Sequence, residues 1–288
     1  MTDSTVDSAP AKLVDGVVVI NLVHRPERLE RFASQAAEIP SFSGWERIPA
    51  VDGSLLSSYG KLPWFRGRKR DKAWGGRAGC TLSHRNAIRT AKKNGWKSVL
   101  VFEDDVNLGN DPETLEKRVF NAMHSQGDDW QILYLGSSEV IGPCHLLGEL
   151  EGARALYETQ GCIGAFAYIV KDEAYDWILE RLPEQEDVWK WISRHRAIDR
   201  WFARNLRPTF NVRCVFPSLI GHFSTFSDIG QRAAANIHTE ASDEHVQKSI
   251  EVRGRTGFAL RCIVQRIRFA AADLGNRFRS LNKRLRGF

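Results

Sequence analysis

Three consecutive acids, Glu103, Asp104 and Asp105, follow directly on the apolar run Val99-Leu-Val-Phe102. A buried strand that ends by carrying carboxylates out of a sheet has this pattern. If side chains alternate across it, Glu103 and Asp105 share one face and Asp104 takes the other. Two hard oxygen donors on one side make half a site for Mg²⁺ or Mn²⁺, which could also hold a substrate's phosphates. A solvated acidic turn has the same composition, so the meaning of these acids depends on what the rest of the chain brings to them.

Other residues capable of chemistry lie at the ends of expected elements. Gly16-Val-Val-Val-Ile-Asn-Leu22 reads as a buried strand, and Pro26 opens a helix through about Glu38. Asn21, Arg25 and Arg28 thus fall at the strand's carboxyl end, where open α/β sheets bind ligands. Arg28 either meets a nucleotide phosphate or is an ordinary exposed helical arginine. Gly75-Gly76 introduces Arg77-Ala-Gly-Cys-Thr-Leu-Ser-His84 and a helix closing at Asn94-Gly95. Glycines before a helix leave amides open to phosphate, making Gly79, Ser83 and His84 candidate ligand contacts. Asp199 sits within the apolar face of a helix spanning Asp187 to Asn205. It is salt-bridged to Arg196 or Arg200, or it lines a pocket.

The remaining elements frame these positions. Trp45 to Ala50 is a second strand, ending in the turn Val51-Asp-Gly53. The stretch from Ser54 to Gly76 is irregular, basic and aromatic, a substrate lid or a solvated insertion. Further on come a helix from Pro112 to Gln126, strands at Trp130–Gly136 and Ala165–Val170, a helix from Asp172 to Arg181, and a last strand at Asn211–Phe216. Alternating strands and helices imply a mainly parallel sheet covered by helices on both faces.

With 288 residues and 42% apolar content, the chain can bury a full core. Five dispersed cysteines with no Cys-x-x-Cys pair suggest neither zinc nor a disulfide framework, and point to a reducing compartment. Residues 1–15 read as a flexible leader without signal-peptide features, and no stretch is long enough to span a membrane. The net charge of +6 is unevenly placed. Residues 251–288 hold ten Lys or Arg against two acids, a local charge of +8, and the rest sums to −2. From Gly257, Leu260, Ile263, Val264, Ile267, Ala271, Leu274, Phe278, Leu281 and Leu285 recur at steps of three and four among arginines. This is a basic amphipathic helix, with a break expected near Leu274-Gly275, that could pack on the body, pair with a partner helix or, ranked first, lie on an anionic membrane surface. The expected organisation is therefore a leader, a catalytic domain over 16–250, and a basic tail over 251–288.

Taken in order, Val-Ile-Asn-Leu22 with Arg25-Pro-Glu-Arg28, Ile48-Pro-Ala-Val-Asp-Gly53, Gly79-Cys-Thr-Leu-Ser-His84, Phe102-Glu-Asp-Asp-Val106, Tyr134-Leu-Gly136, Gly164 to Tyr168, Ile198-Asp199, and Pro217 with Ser227-Asp-Ile229 resemble glycosyltransferase family 25. That family includes lipopolysaccharide β-galactosyltransferases and collagen galactosyltransferases. The resemblance covers about residues 17 to 230 and departs at His24, where the family often has Asp, and in the basic Ser54–Gly76 loop. It implies a GT-A type, Rossmann-like fold and a UDP-sugar donor with Mn²⁺ or Mg²⁺ on its diphosphate. The implied reaction moves a hexose, galactose, to a glycan or lipid-linked acceptor with inversion.

On that basis Asp105 and Glu103 hold the metal, with His222 as a third contact. Asp199 is the catalytic base, and Asn21, Arg28, Gly79, Ser83, His84 and Asp104 shape the donor pocket. The tail would hold the enzyme at the cytoplasmic face of a membrane, near lipopolysaccharide-type acceptors. Two other readings compete. One is a non-catalytic protein whose tail binds anionic lipid or, less suitably, nucleic acid; the other is a metal-dependent phosphohydrolase, for which no separate nucleophile motif is present.

Overall fold

The computed structural model describes residues 12–67, 71, 73–207, 209–223, 226–227, 232–233 and 250–285. Most of the expected leader, Arg68 to Arg70 of the basic loop, Asp228, Ile229 and Arg286 lie outside the described residues.

Strand β1 (Gly16–Asn21) is buried at all six positions. Val18 and Ile20 enter one core and Val17 and Val19 a second core on the opposite face. A strand covered on both sides has no exposed face to make polar, which explains its unbroken apolar run. In β3 (Ser98–Glu103), Val99 and Val101 join the first core and Leu100 and Phe102 the second. The first core is covered by α2 (Trp74–Lys93), α4 (Tyr175–Arg181), α5 (Val188–His195) and α6 (Ile198–Asn205). The second is covered by α1 (Pro26–Ala36) and α3 (Pro112–His124). Pro26 starts α1 at a position where its missing N–H costs nothing, and Asp111 caps α3 by accepting from the Thr114 N–H at 3.1 Å.

The other strands of the main sheet are β2 (Glu46–Pro49), β5 (Ile132–Gly136), β6 (Glu139–Leu150), β7 (Arg154–Ile163), β8 (Ala167–Lys171), β9 (Val212–Phe216) and β13 (Ile250–Glu251). Their order is β13-β6-β7-β9-β5-β8-β3-β1-β2. β1 is parallel to β2 and β3, β5 to β9, and β6 to β13. β8 is antiparallel to β3 and β5, and β7 to β6 and β9. Parallel and antiparallel junctions are thus equal in number, so the sheet is mixed rather than mainly parallel. The cause is the long β6–β7 hairpin: with no crossover helix between β5 and β8, the chain must return antiparallel. Outside the main sheet, β11 (Phe226–Ser227) and β12 (Arg232–Ala233) form a short antiparallel pair.

Three further expectations are corrected by the local backbone. The single helix from Asp187 to Asn205 is two, α5 and α6, divided at Arg196, whose φ of 73° lies in the left-handed region. The tail helix α7 (Arg255–Leu285) runs unbroken through Gly275. Helix α2 begins at Trp74, so the paired glycines lie inside its first turn. The described part of the 54–76 loop is anchored at its aromatic residues, while Leu55 and Leu62 stay exposed. Phe65 is buried against Tyr59 at 5.0 Å, Trp74 at 5.6 Å and Trp189 at 5.0 Å, and the Trp189 indole donates to Ser57 O at 2.7 Å.

Candidate active site

Glu103, the last residue of β3, falls on the same face as Val99 and Val101 and so points at α2. Its Oε1 lies 3.2 Å from His84 Nε2, while His84 Nδ1 pairs with the Tyr168 hydroxyl at 2.8 Å. Beyond Glu103 the strand ends, and Asp104 and Asp105 turn into β4 (Val106–Asn107). β4 pairs antiparallel with β10 (Gly221–His222), setting His222 opposite Val106. This short ladder brings His222 Nε2 to 3.1 Å from Asp105 Oδ2, and the Phe223 N–H donates to the Asp105 carbonyl at 2.9 Å. The expected shared strand face for Glu103 and Asp105 therefore fails, because alternation stops where the strand does.

Asp104 is buried and committed to the first βα junction. Its Oδ2 accepts from Asn21 Nδ2 at 2.7 Å and its Oδ1 from Arg28 Nη1 at 3.2 Å. Arg28 is only 7% exposed and also lies 3.6 Å from Asp105 Oδ2, so it is not an ordinary surface arginine. Burial, reinforced by the charge of Asp105, pushes the Asp104 carboxyl up to about 6 against the pull of Asn21 and Arg28. Asp105 moves the other way. Burial opposes its ionisation, but the hydrogen bond and charge of His222, with Arg28, hold its carboxyl below the usual range. Burial draws the His222 imidazole down, and its bond to Asp105 more than offsets this, leaving it raised.

Close backbone approach explains the glycines. A Cβ on Gly79 would stand 2.1 Å from Val51 O, and one on Gly53 would stand 1.8 Å from Gly75 O. The turn after β2 thus lies directly on α2. Ser83 fastens it, its Oγ accepting from the Val51 N–H at 2.8 Å and donating to Gly79 O at 2.7 Å.

These pieces enclose a cavity of about 260 Å³. Its wall holds Arg28, Ser83, His84, Glu103, Asp104, Asp105 and His222, together with Gly75 and Gly76 from the first turn of α2. Asn21 and Gly79, expected as ligand contacts, do not line it; they position residues that do. Asp52, His24 and Tyr59 also line it and were not assigned from sequence. The signal for Asp52 was its turn at the carboxyl end of β2, the edge where ligands gather. The Ser54 hydroxyl, at 2.6 Å, and the Ser54 N–H, at 2.9 Å, both donate to the Asp52 carboxylate and lower its pKa.

A second cavity of about 150 Å³ shares Cys80, Glu103 and His222 with the first and has Asp199 in its wall. The break at Arg196 puts Asp199 in the first turn of α6, where the helix dipole favours a carboxylate. Its oxygens accept from the N–H groups of Gly164 at 3.2 Å and Arg200 at 2.6 Å, in place of the expected arginine salt bridge.

Among the described residues, the metal-competent trio that converges is Cys80, His84 and Glu103, with donor atoms within 4.8 Å of one another. A thiol, imidazole and carboxylate suit a zinc-like ion more than the Mg²⁺ or Mn²⁺ that accompanies a diphosphate. Glu103, Asp105 and His222 do not gather in this way: Glu103 turns to His84, and Asp105 pairs with His222. The site nevertheless fits a dication there. His222 Nδ1 is buried without a hydrogen-bond partner, and the Cys80 thiol is pushed up by burial and then by Glu103, Asp199 and Asp105. The negative field across both cavities is what a divalent ion would neutralise, and carboxylate with imidazole is a suitable Mn²⁺ donor pair.

Residues 15–139 match glycosyltransferase family 25 (LPS biosynthesis protein). The inactive glycosyltransferase 25 family member 3 of Homo sapiens is 33% identical over 143 residues, 46% of this chain and 23% of that protein. Procollagen galactosyltransferase 1 of Danio rerio is 30% identical over 133 residues, 42% of this chain and 21% of that protein. The matched stretch thus spans less than a quarter of the length of these curated relatives. Among solved structures, mannose-1-phosphate geranyltransferase from Thermus thermophilus aligns over 69% of this chain and 73% of its own, at 13% identity and a TM-score of 0.30.

Proposed function

We propose, from the match of residues 15–139 to glycosyltransferase family 25, that the chain transfers a hexose from a UDP-sugar to a hydroxyl of a glycan acceptor, with inversion, on a GT-A type fold. Galactose is the sugar named in the Danio rerio relative, and a lipopolysaccharide or other lipid-linked acceptor accords with the family's description. One arrangement carries this reading. A single cavity is walled by four carboxylates, the buried Arg28 and the first turn of α2, and an adjoining cavity has Asp199 in its wall.

Arg28 and the N–H groups at the start of α2 are the donors available to diphosphate oxygens. Asp104 holds Arg28 in place. Asp105 and His222 would hold Mn²⁺ or Mg²⁺ beside Glu103, and the bound ion would stabilise charge on the departing diphosphate. Asp52 is the acid available to ribose hydroxyls. Asp199 accepts the proton of the acceptor hydroxyl as that oxygen bonds to the anomeric carbon and the carbon–oxygen bond to the diphosphate breaks. Relatives in this family carry both designations, inactive and galactosyltransferase. Activity in this chain is supported by its own base, arginine and acid turn in one place.

Calorimetric titration with UDP and UMP, with and without Mn²⁺, tests the donor site. UDP should bind more tightly than UMP, Mn²⁺ should tighten UDP further, and Asp105→Asn should remove the Mn²⁺ effect. Absence of UDP binding in both conditions contradicts the reading.

A further inference from the structure

Helix α7 has two working faces. It is tied to the body by the segment that leads into it and by its first turn: the Val252 N–H donates to Cys144 O at 2.8 Å, Val252 O meets His145 Nδ1 at 3.1 Å, and Phe258 is 1% exposed. Arg207 stacks over the Phe258 ring at 5.1 Å and Arg204 over Phe269 at 5.5 Å, while Asn276 is buried further along. At about 100° per residue, Phe258, Phe269 and Asn276 share one side of the helix.

Roughly opposite them lie Leu260, Ile263, Ile267, Leu274, Phe278 and Leu281, within a sector of about 60°. These six are 52% to 71% exposed, so docking on the body leaves them uncovered. Exposed arginines border the stripe on both sides, Arg261, Arg268 and Arg279 along one edge and Arg266 and Arg277 along the other. The one acid within α7, Asp273, lies on the body side and pairs with Arg277 Nε at 2.7 Å. The helix spans 31 residues, roughly 46 Å, and no helix among the described residues is long and apolar enough to cross a membrane.

We propose that α7 is an in-plane docking surface for an anionic phospholipid bilayer: its outward apolar stripe enters the acyl boundary, its two arginine rows meet the headgroups, and its inner face stays on the body. An apolar stripe with cationic borders matches the depth profile of an anionic interface. A second copy of the chain is a poorer occupant, because pairing two such stripes face to face sets arginine rows against arginine rows, without opposing acids to offset them.

The test uses the full chain and no nucleotide or sugar, so it stands or falls separately from the transferase reading. The protein is sedimented with vesicles of phosphatidylcholine alone and of phosphatidylcholine with phosphatidylglycerol, at low and high salt. Binding is expected to the anionic vesicles, to weaken with salt, and to drop at least about tenfold in the double variant Ile267→Glu, Phe278→Glu and in the triple variant Arg261→Gln, Arg268→Gln, Arg279→Gln. All five positions are exposed, and an unchanged unfolding temperature verifies that each variant folds. Wild-type protein left in the supernatant with anionic vesicles overturns the proposal, as does equal binding by either variant. A wild-type dimer in light scattering that the double variant abolishes, without vesicle binding, identifies the stripe as a contact between copies and overturns it too.

Discussion

Each acid in the site is distinguished by what holds it. Asp104 is occupied by Asn21 and Arg28, Asp105 by His222, and Glu103 by His84. Asp199 is held by backbone N–H groups in the wall of the adjoining cavity, an arrangement that fixes its direction without supplying a competing cation. Asp199→Asn keeps the shape but offers an oxygen to only one of the two N–H groups, which meet different oxygens of Asp199, and it cannot take a proton. Turnover should fall by about 10²- to 10⁴-fold. UDP affinity should change by less than about twofold, since a base facing the acceptor contributes nothing to donor binding. Unchanged turnover in a single-turnover assay would remove Asp199 from the chemistry. The acid triplet was legible at this scale only with the ordered motifs around it, because three carboxylates after four apolar residues also describe a solvated acidic turn. The partnership of Asp105 with His222 was not, since it depends on a two-residue ladder formed by residues far apart in the chain.

Among the elements, α2 shows why a glycine pattern can be read correctly as important and wrongly as ligand contact. Glycine within a helix costs up to about 1 kcal/mol relative to alanine, and here that cost admits the Val51–Gly53 turn onto the helix. Gly79→Ala would place a methyl group 2.1 Å from Val51 O, a backbone atom with no rotamer to escape through. The expected loss is about 1 to 3 kcal/mol or more. Gly275→Ala is the contrasting case: it meets nothing within 4 Å in an unbroken helix and should stabilise α7 by about 0.5 to 1 kcal/mol. Denaturant titrations of both variants check the pair, and equal effects would show that the close approach at Gly79 is not what requires glycine there. Buried parallel strands such as β1 and β3 were legible from their apolar runs. The β6–β7 hairpin was not, because its strands carry Gly142, Pro143 and several polar residues and show no clean alternation. The α5–α6 break was equally silent, because an arginine rather than a glycine takes the left-handed conformation.

Over the whole molecule, a mixed sheet with a core on each face brings the ends of β1, β2 and β3, the start of α2 and the late β10 to one edge. The order of motifs along the chain anticipated this convergence, since each lies at the end of an element. The uneven charge likewise marked α7 as distinct. Its packing on the body was one alternative that the sequence left undecided, because the residues that dock it, such as Phe258 and Asn276, do not stand out from the periodic apolar series. The central claim is that this convergence is a sugar-transfer site. Its most direct measurement is nucleotide release from a panel of UDP-sugars with Mn²⁺, comparing the full chain with Asp105→Asn. The account predicts UDP release from one donor, UDP-galactose foremost, rising when a glycan acceptor is added and falling at least about a hundredfold in the variant. No release from any donor, or release that Asp105→Asn leaves unchanged, would contradict it.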